Sequence, residues 1–147
     1  MTTTEVLVCT TCRPAGMSRD VPPAGQALWD AVQAASDAQP LPAGITLRGI
    51  ACLNSCSRAC TVALQAAGKH SYCFGDLQAD ATTAAEVLAC ALQHLHSSDG
   101  SLPRNERPER LRGGILLRLP PMLPQGHGAV PGSSAPVQPI AAAVPQP

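Results

Sequence analysis

Five of the seven cysteines fall in two tight groups, Cys9-x2-Cys12 and Cys52-x3-Cys56-x3-Cys60, and each group follows a short apolar run. That placement constrains the fold more than any other feature. Glu5 to Cys9 reads as a buried strand and Ile45 to Cys52 as a second one, β-branched or apolar at Ile45, Leu47 and Ile50. Between them, Arg13 to Pro23 is broken by Pro14, Gly16, Pro22 and Pro23 and reads as a loop. Ala24 to Ala38 carries Leu28, Val32 and Ala35 at i, i+4 and i+7, the spacing of a helix with one apolar stripe, and Pro40, Pro42 and Gly44 end it. A strand–helix–strand unit sets two parallel strands side by side through a right-handed crossover, with neighbouring strands about 4.8 Å apart. The carboxyl ends of the strands then share one edge of the sheet. Cysteines remote in sequence converge there.

The rest of the chain completes a small α/β domain. Thr61 to Leu64 and His70 to Phe74 flank a turn at Ala66 to Lys69 and read as a hairpin. Asp80 is placed to cap a helix, with Thr83 and Glu86 in capping-box spacing and Ala84, Leu88, Ala91, Leu92 and Leu95 on one face. Trp29, Tyr72 and Phe74 are the whole aromatic supply, so the core must be built from Leu, Val, Ile and Ala. Such a core is small and gains from cross-linking. The expected architecture is a thioredoxin-like βαβ-ββα domain over residues 4–100.

Beyond Leu102 the composition changes. Ten of the fifteen prolines lie between Pro103 and Pro147, and Arg104, Arg107, Arg110, Arg112 and Arg118 supply half of the ten positive charges. Residues 101–121 read as an arginine-rich extension: a solvated linker or a docking arm for an acidic partner, with Ile115, Leu116, Leu117 and Leu119 packing back on the domain. Residues 122–147 are Pro, Ala, Gly and Ser with almost no charge. They lack the apolar content to offset an ordering entropy of roughly 1–2 kcal/mol per residue, and disorder is expected.

Composition also excludes classes of function. Net charge is zero with neutral histidines, so no global bias selects nucleic acid or a membrane surface as partner. The N-terminus has no basic segment followed by a long apolar one, and no run approaches the roughly 20 apolar residues of a membrane span. A chain kept in the reducing cytoplasm rarely carries structural disulfides, and clustered cysteines there bind metal or do redox work. No nucleotide-binding glycine loop, Ser/His/Asp set or HExxH motif is present. The chain reads as a carrier rather than a catalyst.

Electrostatics decides what gathered thiols can do. Two thiolates 4 Å apart repel by about 4 kcal/mol at an effective dielectric near 20. Four cannot all ionise without a compensating cation, and a metal ion or iron–sulfur core supplies one. Cys9, Cys12, Cys52 and Cys56 are the first candidates as ligands. Cys60 is a reserve that could replace Cys12. A redox dithiol is the alternative, because Cys9-Thr10-Thr11-Cys12 follows a strand of a thioredoxin-like unit, although Pro14 and Gly16 keep a helix from starting directly after Cys12. Arg58, between Cys56 and Cys60, could offset the charge of a thiolate-ligated centre. Cys73 alternates with Tyr72 and Phe74 on a strand and reads as packing. Cys90 falls on the side of Glu86 and Gln93 and reads as a bystander. His94 and His96 end the last helix, where their expected role is to face the negative end of its dipole. His70, beside the hairpin turn, reads as a surface group or a donor to the centre.

The stretch Cys52-Leu53-Asn54-Ser55-Cys56, followed by Val62-Ala63-Leu64, Gly68 and Tyr72, resembles the second half of the thioredoxin-like [2Fe–2S] ferredoxins, a module also found in the small flavoprotein-associated subunit of respiratory complex I. The resemblance implies a [2Fe–2S] cluster and an electron-carrying role, with zinc as the alternative ion. Two of the ligands would be Cys52 and Cys56. The other two, about a dozen residues apart in that family, would be Cys9 and Cys12, only three apart. CTTCR, CLNSCSRACTVAL, GKHSYCFGDL and ERPERLRGGILLRLPP, within Val6 to Pro121, also resemble an uncharacterised bacterial family of predicted metal-binding proteins often encoded near cobalamin-biosynthesis genes. This implies metal binding, a link to corrin metabolism, and a redox or metallo-enzyme partner. A homodimer is a further possible assembly, and a structural zinc adaptor a further role.

Overall fold

The computed structural model describes residues 2–124; the expected disorder of the tail falls almost wholly outside them. Strand β1 (Thr4–Cys9) is followed by helix α1 (Ala24–Ala38) and strand β2 (Ile45–Ile50), which pairs with β1 in parallel. The hairpin strands are β3 (Val62–Gln65) and β4 (Ser71–Phe74), and β3 runs antiparallel to β1. Helix α2 (Ala81–His96) follows. The sheet order is β2-β1-β3-β4-β5, where β5 (Ile115–Leu119) comes from the arginine-rich extension and pairs antiparallel with β4. Without β5 this is the thioredoxin-like βαβ-ββα order, so the fold class is the one expected from the sequence. No helix among the described residues is long and apolar enough to cross a membrane.

The two-residue period of the strands sorts the sheet into unequal faces. Thr4, Val6 and Val8 of β1, Val62 and Leu64 of β3, and Tyr72 and Phe74 of β4 are buried on one side with Leu28 and Val32 of α1 and Ala84, Val87, Leu88 and Ala91 of α2. Both helices pack on β1 and on each other. The other side carries Leu7, Ala63, Cys73 and Leu117 in one cross-strand row, and among the described residues no helix lies over it. Leu117 and Leu119 are exposed there.

Two local devices fix the frame. Asp80 accepts the Thr83 amide at 2.8 Å as the N-cap of α2, as its position predicts. Glu86 does not close a capping box. Its carboxylate instead accepts the amide of Arg110, which fastens the extension to the helix. At the other end of α2, the buried Lys69 ammonium donates to the carbonyls of His94 and Leu95 at 2.8 and 2.7 Å, satisfying acceptors that a helix terminus leaves open.

The extension also changes what α2 buries. Leu102 and Leu111 enter the core, and Arg107 is buried with its guanidinium 6.0 Å from the centre of the Phe74 ring. Cys90 is therefore fully buried, in the space bounded by Val62, Leu64, Phe74, Val87 and Leu111. The bystander reading of Cys90 is corrected: a second cover, not the first apolar stripe, encloses it. His94 is corrected too, with β1 and the hairpin as its cover. It is fully buried, its Nε2–H donating to the His70 carbonyl at 2.7 Å and its Nδ1 accepting from the Thr4 hydroxyl at 2.8 Å. Because a carbonyl can only accept, this pair of partners fixes the tautomer.

Candidate metal centre

The cysteines of the first group lie at the carboxyl end of β1. Cys9 closes the strand, pairing with Ile50 of β2 and donating its amide to the Thr61 carbonyl at 3.1 Å. The chain then turns, and Cys12 comes back under Cys9 with the two Sγ atoms 2.8 Å apart. Both residues are buried, 1% and 2% exposed. The Thr61 hydroxyl lies 3.5 Å from Cys12 Sγ.

Gly25 lets this turn sit where it does. It belongs to the first turn of α1 and donates its amide to the Cys12 carbonyl at 3.0 Å. A Cβ at this position would collide with the Cys9 carbonyl oxygen and lie 2.9 Å from the Cys12 nitrogen. Thus α1, though it starts well after Cys12, still lays its N-terminal turn against the cysteine turn. The positive end of the helix dipole there favours thiolate over thiol.

The second group occupies the loop after β2. Cys52 and Cys56 are exposed, and Cys56 opens a short 3-10 turn, Cys56–Arg58. The Cys52 and Cys56 thiols are neighbours, and the interaction raises the Cys56 pKa. The Asn54 amide donates to Cys52 Sγ at 3.2 Å, with Asn54 itself in the left-handed region at φ 59°. The loop is tied to the strand ends by Thr10 and Thr11, whose hydroxyls donate to the carbonyls of Ile50 and Ala51.

The two groups meet. The Thr11 hydroxyl, between Cys9 and Cys12, donates to the carbonyl of Ala51, next to Cys52, and the charge of Cys9 helps to raise the Cys56 pKa. The parallel pairing of β1 and β2, with Cys9 opposite Ile50, sets both cysteine loops at the same edge of the sheet. Among the described residues, however, no set of three or more His, Cys, Asp or Glu side chains is already arranged around one point as a metal site. The structure shows two thiol pairs on neighbouring loops, one buried and one exposed.

The charges of the thiols are graded. Burial opposes ionisation of Cys9, but donation from the Cys12 thiol and from nearby backbone amides outweighs it, and its pKa lies below the ordinary thiol value. Burial and the adjacent Cys9 push Cys12 up to about 12. Cys60, buried just before β3, is pushed up to about 11 by burial and then by Cys9. Cys73, on the helix-free face, is raised by the same two causes. Cys60 and Cys73 thus both feel the charge of Cys9. Cys90 is raised to about 12 by burial in the core.

Arg58 lies beside the second group, but its Nε donates to both carboxylate oxygens of Asp76 at 3.0 Å. This half-exposed ion pair already matches its charge. His70 and His94 lie beside the C-terminal end of α2 and the Lys69 turn, bonded to Asp99, Thr4 and each other. Thr61 and Gly25 escaped the sequence reading. The apolar neighbours of Thr61 gave no signal, and Gly25 looked like one more small residue in an alanine-rich helix.

The donor chemistry suits a soft metal or an iron–sulfur core: sulfur from both loops, a backbone amide donating to Cys52 Sγ, and no carboxylate or imidazole among the expected ligands. Cys9, Cys12, Cys52 and Cys56 would hold such a group, and it would supply the positive charge that lets four thiolates stand together.

Residues 6–121 match the model of a family described as "Protein of unknown function (DUF1636)", and the chain belongs to that family. No curated protein matches the sequence significantly. Among solved structures, the chain is similar to a thioredoxin-like [2Fe–2S] ferredoxin from Aquifex aeolicus at 18% identity, with a TM-score of 0.48, over 90% of this chain and 98% of that one.

Proposed function

We propose that this member of the DUF1636 family binds a thiolate-ligated metal centre, a [2Fe–2S] cluster in the first instance and zinc as the alternative, through Cys9, Cys12, Cys52 and Cys56. Its role is then that of an electron carrier or a metal-handling accessory protein. The observation that carries the reading is the pair of hydrogen bonds from the Thr10 and Thr11 hydroxyls to the Ile50 and Ala51 carbonyls, which ties the start of the Cys52–Cys56 loop to the Cys9–Cys12 turn. Hydrogen bonds from backbone amides to ligand sulfur are one of the levers by which proteins tune such centres. Cys60, buried and near Cys9, remains the reserve ligand. Arg58 contributes positive charge at the rim, shared with Asp76. The family resemblance adds a cytoplasmic setting and a partner enzyme of cobalamin synthesis to the proposal.

The experiment is anaerobic purification followed by metal and acid-labile sulfide analysis with a visible spectrum. Iron and sulfide in equal amounts with charge-transfer absorbance support the cluster. A colourless protein holding one zinc ion per chain selects the alternative. A chain that binds neither contradicts the proposal.

A second reading rests on a different observation. Cys9 and Cys12 are 2.8 Å apart, the first acidified and the second pushed up to about 12, the asymmetry of a dithiol that exchanges with disulfides. Thiol oxidoreductase activity that survives Cys52→Ser would select this reading. Loss of activity together with loss of metal would select the first.

A further inference from the structure

The helix-free face of the sheet carries a patch that the candidate centre does not use. Leu117 and Leu119 stand on that face of β5, 45% and 55% exposed, and just past the strand Met122 and Leu123 are 81% and 75% exposed. Leu119, Met122 and Leu123 line one groove of about 650 Å³ together with Glu5, Gln65 and Ser71. Neighbouring large apolar side chains left in water mark a contact surface. We infer that this patch joins two copies of the chain across a two-fold axis beside Leu117, with the helix-free faces of their sheets packed on each other along β5. The inference is independent of the metal centre.

Charge and arrangement select a second copy as the occupant. Glu5 is matched by Arg48 at 2.7 Å and by the Gln65 side-chain amide, also at 2.7 Å. Arg118, the one charged residue of β5, pairs with Tyr72 and shares its face, the guanidinium 6.0 Å from the ring centre and away from the patch. The patch thus offers no unmatched charge to an acidic or a basic partner, and a chain of zero net charge does not repel its own copy. The apolar residues lie along the β5 margin, while Glu5 and its cross-strand neighbours Thr46 and Gln65 lie on β1, β2 and β3. A two-fold contact sets equal surfaces on each other, so this placement lays apolar on apolar and leaves the polar row at the rim. From their exposures the four side chains offer about 450 Å² per copy, so a pair buries about 900 Å² through them alone, close to the roughly 1,200 Å² at which specific interfaces begin. The groove adds to that area. Glu5 is near the start of β1 and Cys9 at its end, so the contact leaves the cysteine edge open.

The test is sedimentation equilibrium of the full chain over a wide concentration range. Dithiothreitol and EDTA are present, so that neither a disulfide nor a shared ion joins the chains. The parent should reach twice its 15.1 kDa mass as concentration rises. Leu117→Glu and Met122→Glu should each sediment at the mass of a single chain, because they set a charge at the centre and at the arm of the contact. Val21→Glu changes an equally exposed apolar residue in the loop before α1 and should associate as the parent does. Circular dichroism checks that each variant is folded. If Leu117→Glu fails to fold, Met122→Glu, at the most exposed of these positions, decides the question. A parent that keeps the single-chain mass at every concentration overturns the inference and leaves the patch to residues 125–147 or to a different protein. Association that survives both Leu117→Glu and Met122→Glu also overturns it, since the copies would then meet through another surface.

Discussion

The two cysteine regions are built on opposite principles. The Cys9–Cys12 turn belongs to the frame: Cys9 pairs with β2, bonds Thr61, and lies under an α1 turn that admits only glycine at position 25. The Cys52–Cys60 loop is a surface feature whose first two sulfurs face solvent and whose third, Cys60, is drawn into the core. One region holds its two proposed ligands inside the frame, and the other holds its two on the surface.

The largest effect should come from attacking the frame half. Gly25→Ala sets a methyl group against the backbone of Cys9 and Cys12, where nothing flexible can yield, and overpacking of this kind costs about 1–3 kcal/mol. Urea unfolding should show that loss, and metal loading should fall with it. If the variant folds as well as the parent and loads fully, the frame half is looser than described here.

Next comes the loop half. Cys52→Ser/Cys56→Ser should abolish stoichiometric metal binding and leave the unfolding midpoint of the metal-free chain almost unchanged, because both side chains are exposed. The matching Cys12→Ser variant should lose metal and also stability, about 1–3 kcal/mol, because it buries a hydroxyl beside Cys9. Equal stability losses in the two variants would erase the distinction between frame and loop.

The Thr61 hydroxyl should have a smaller effect. Thr61→Val keeps the shape and removes the group 3.5 Å from Cys12 Sγ. A roughly tenfold loss of metal affinity is expected, the size seen when outer hydrogen bonds to ligands are deleted. Competition titration with a zinc indicator measures it.

The far end of the frame gives a pH test. Burial lowers the pKa of His94, so the folded state resists a proton that the unfolded chain accepts near the ordinary histidine value of 6.5. Stability is complete above that value and is lost as pH falls below it, toward the lowered folded pKa. Unfolding midpoints of the metal-free chain should therefore decrease between pH 7.5 and 5.5, and His94→Gln should flatten that part of the slope. The smallest effect is expected at Arg58→Gln, which breaks an exposed ion pair with Asp76 and should leave the midpoint within error. A drop in metal loading without a drop in stability would show that its charge serves the thiolates.

Much of this was legible in the sequence, because local signals agreed with the fold. The apolar runs before each cysteine group, the Leu28–Val32 stripe, the Gly68 turn and the Asp80 cap led directly to β1, α1, β2, the hairpin and α2. What escaped depended on a second cover. The arginines between Arg104 and Arg118 mask Leu102, Leu111 and the strand Ile115–Leu119, and charge at that density reads as solvated. Once Leu111 and Arg107 fold onto α2, Cys90 is inside. Periodicity along a single helix cannot show a face that is covered from elsewhere. Within the candidate site, the ligand residues were legible from spacing. Gly25 and Thr61 were not, since their importance lies in contacts across the chain.

The most direct test of a shared centre is X-ray absorption at the metal edge of the loaded full chain, beside the Cys52→Ser/Cys56→Ser variant. Four sulfur neighbours at about 2.3 Å are expected for zinc, with sulfur replaced by lighter atoms in the variant. A spectrum identical in parent and variant, or one with no sulfur shell, would contradict the joining of the two loops around one ion.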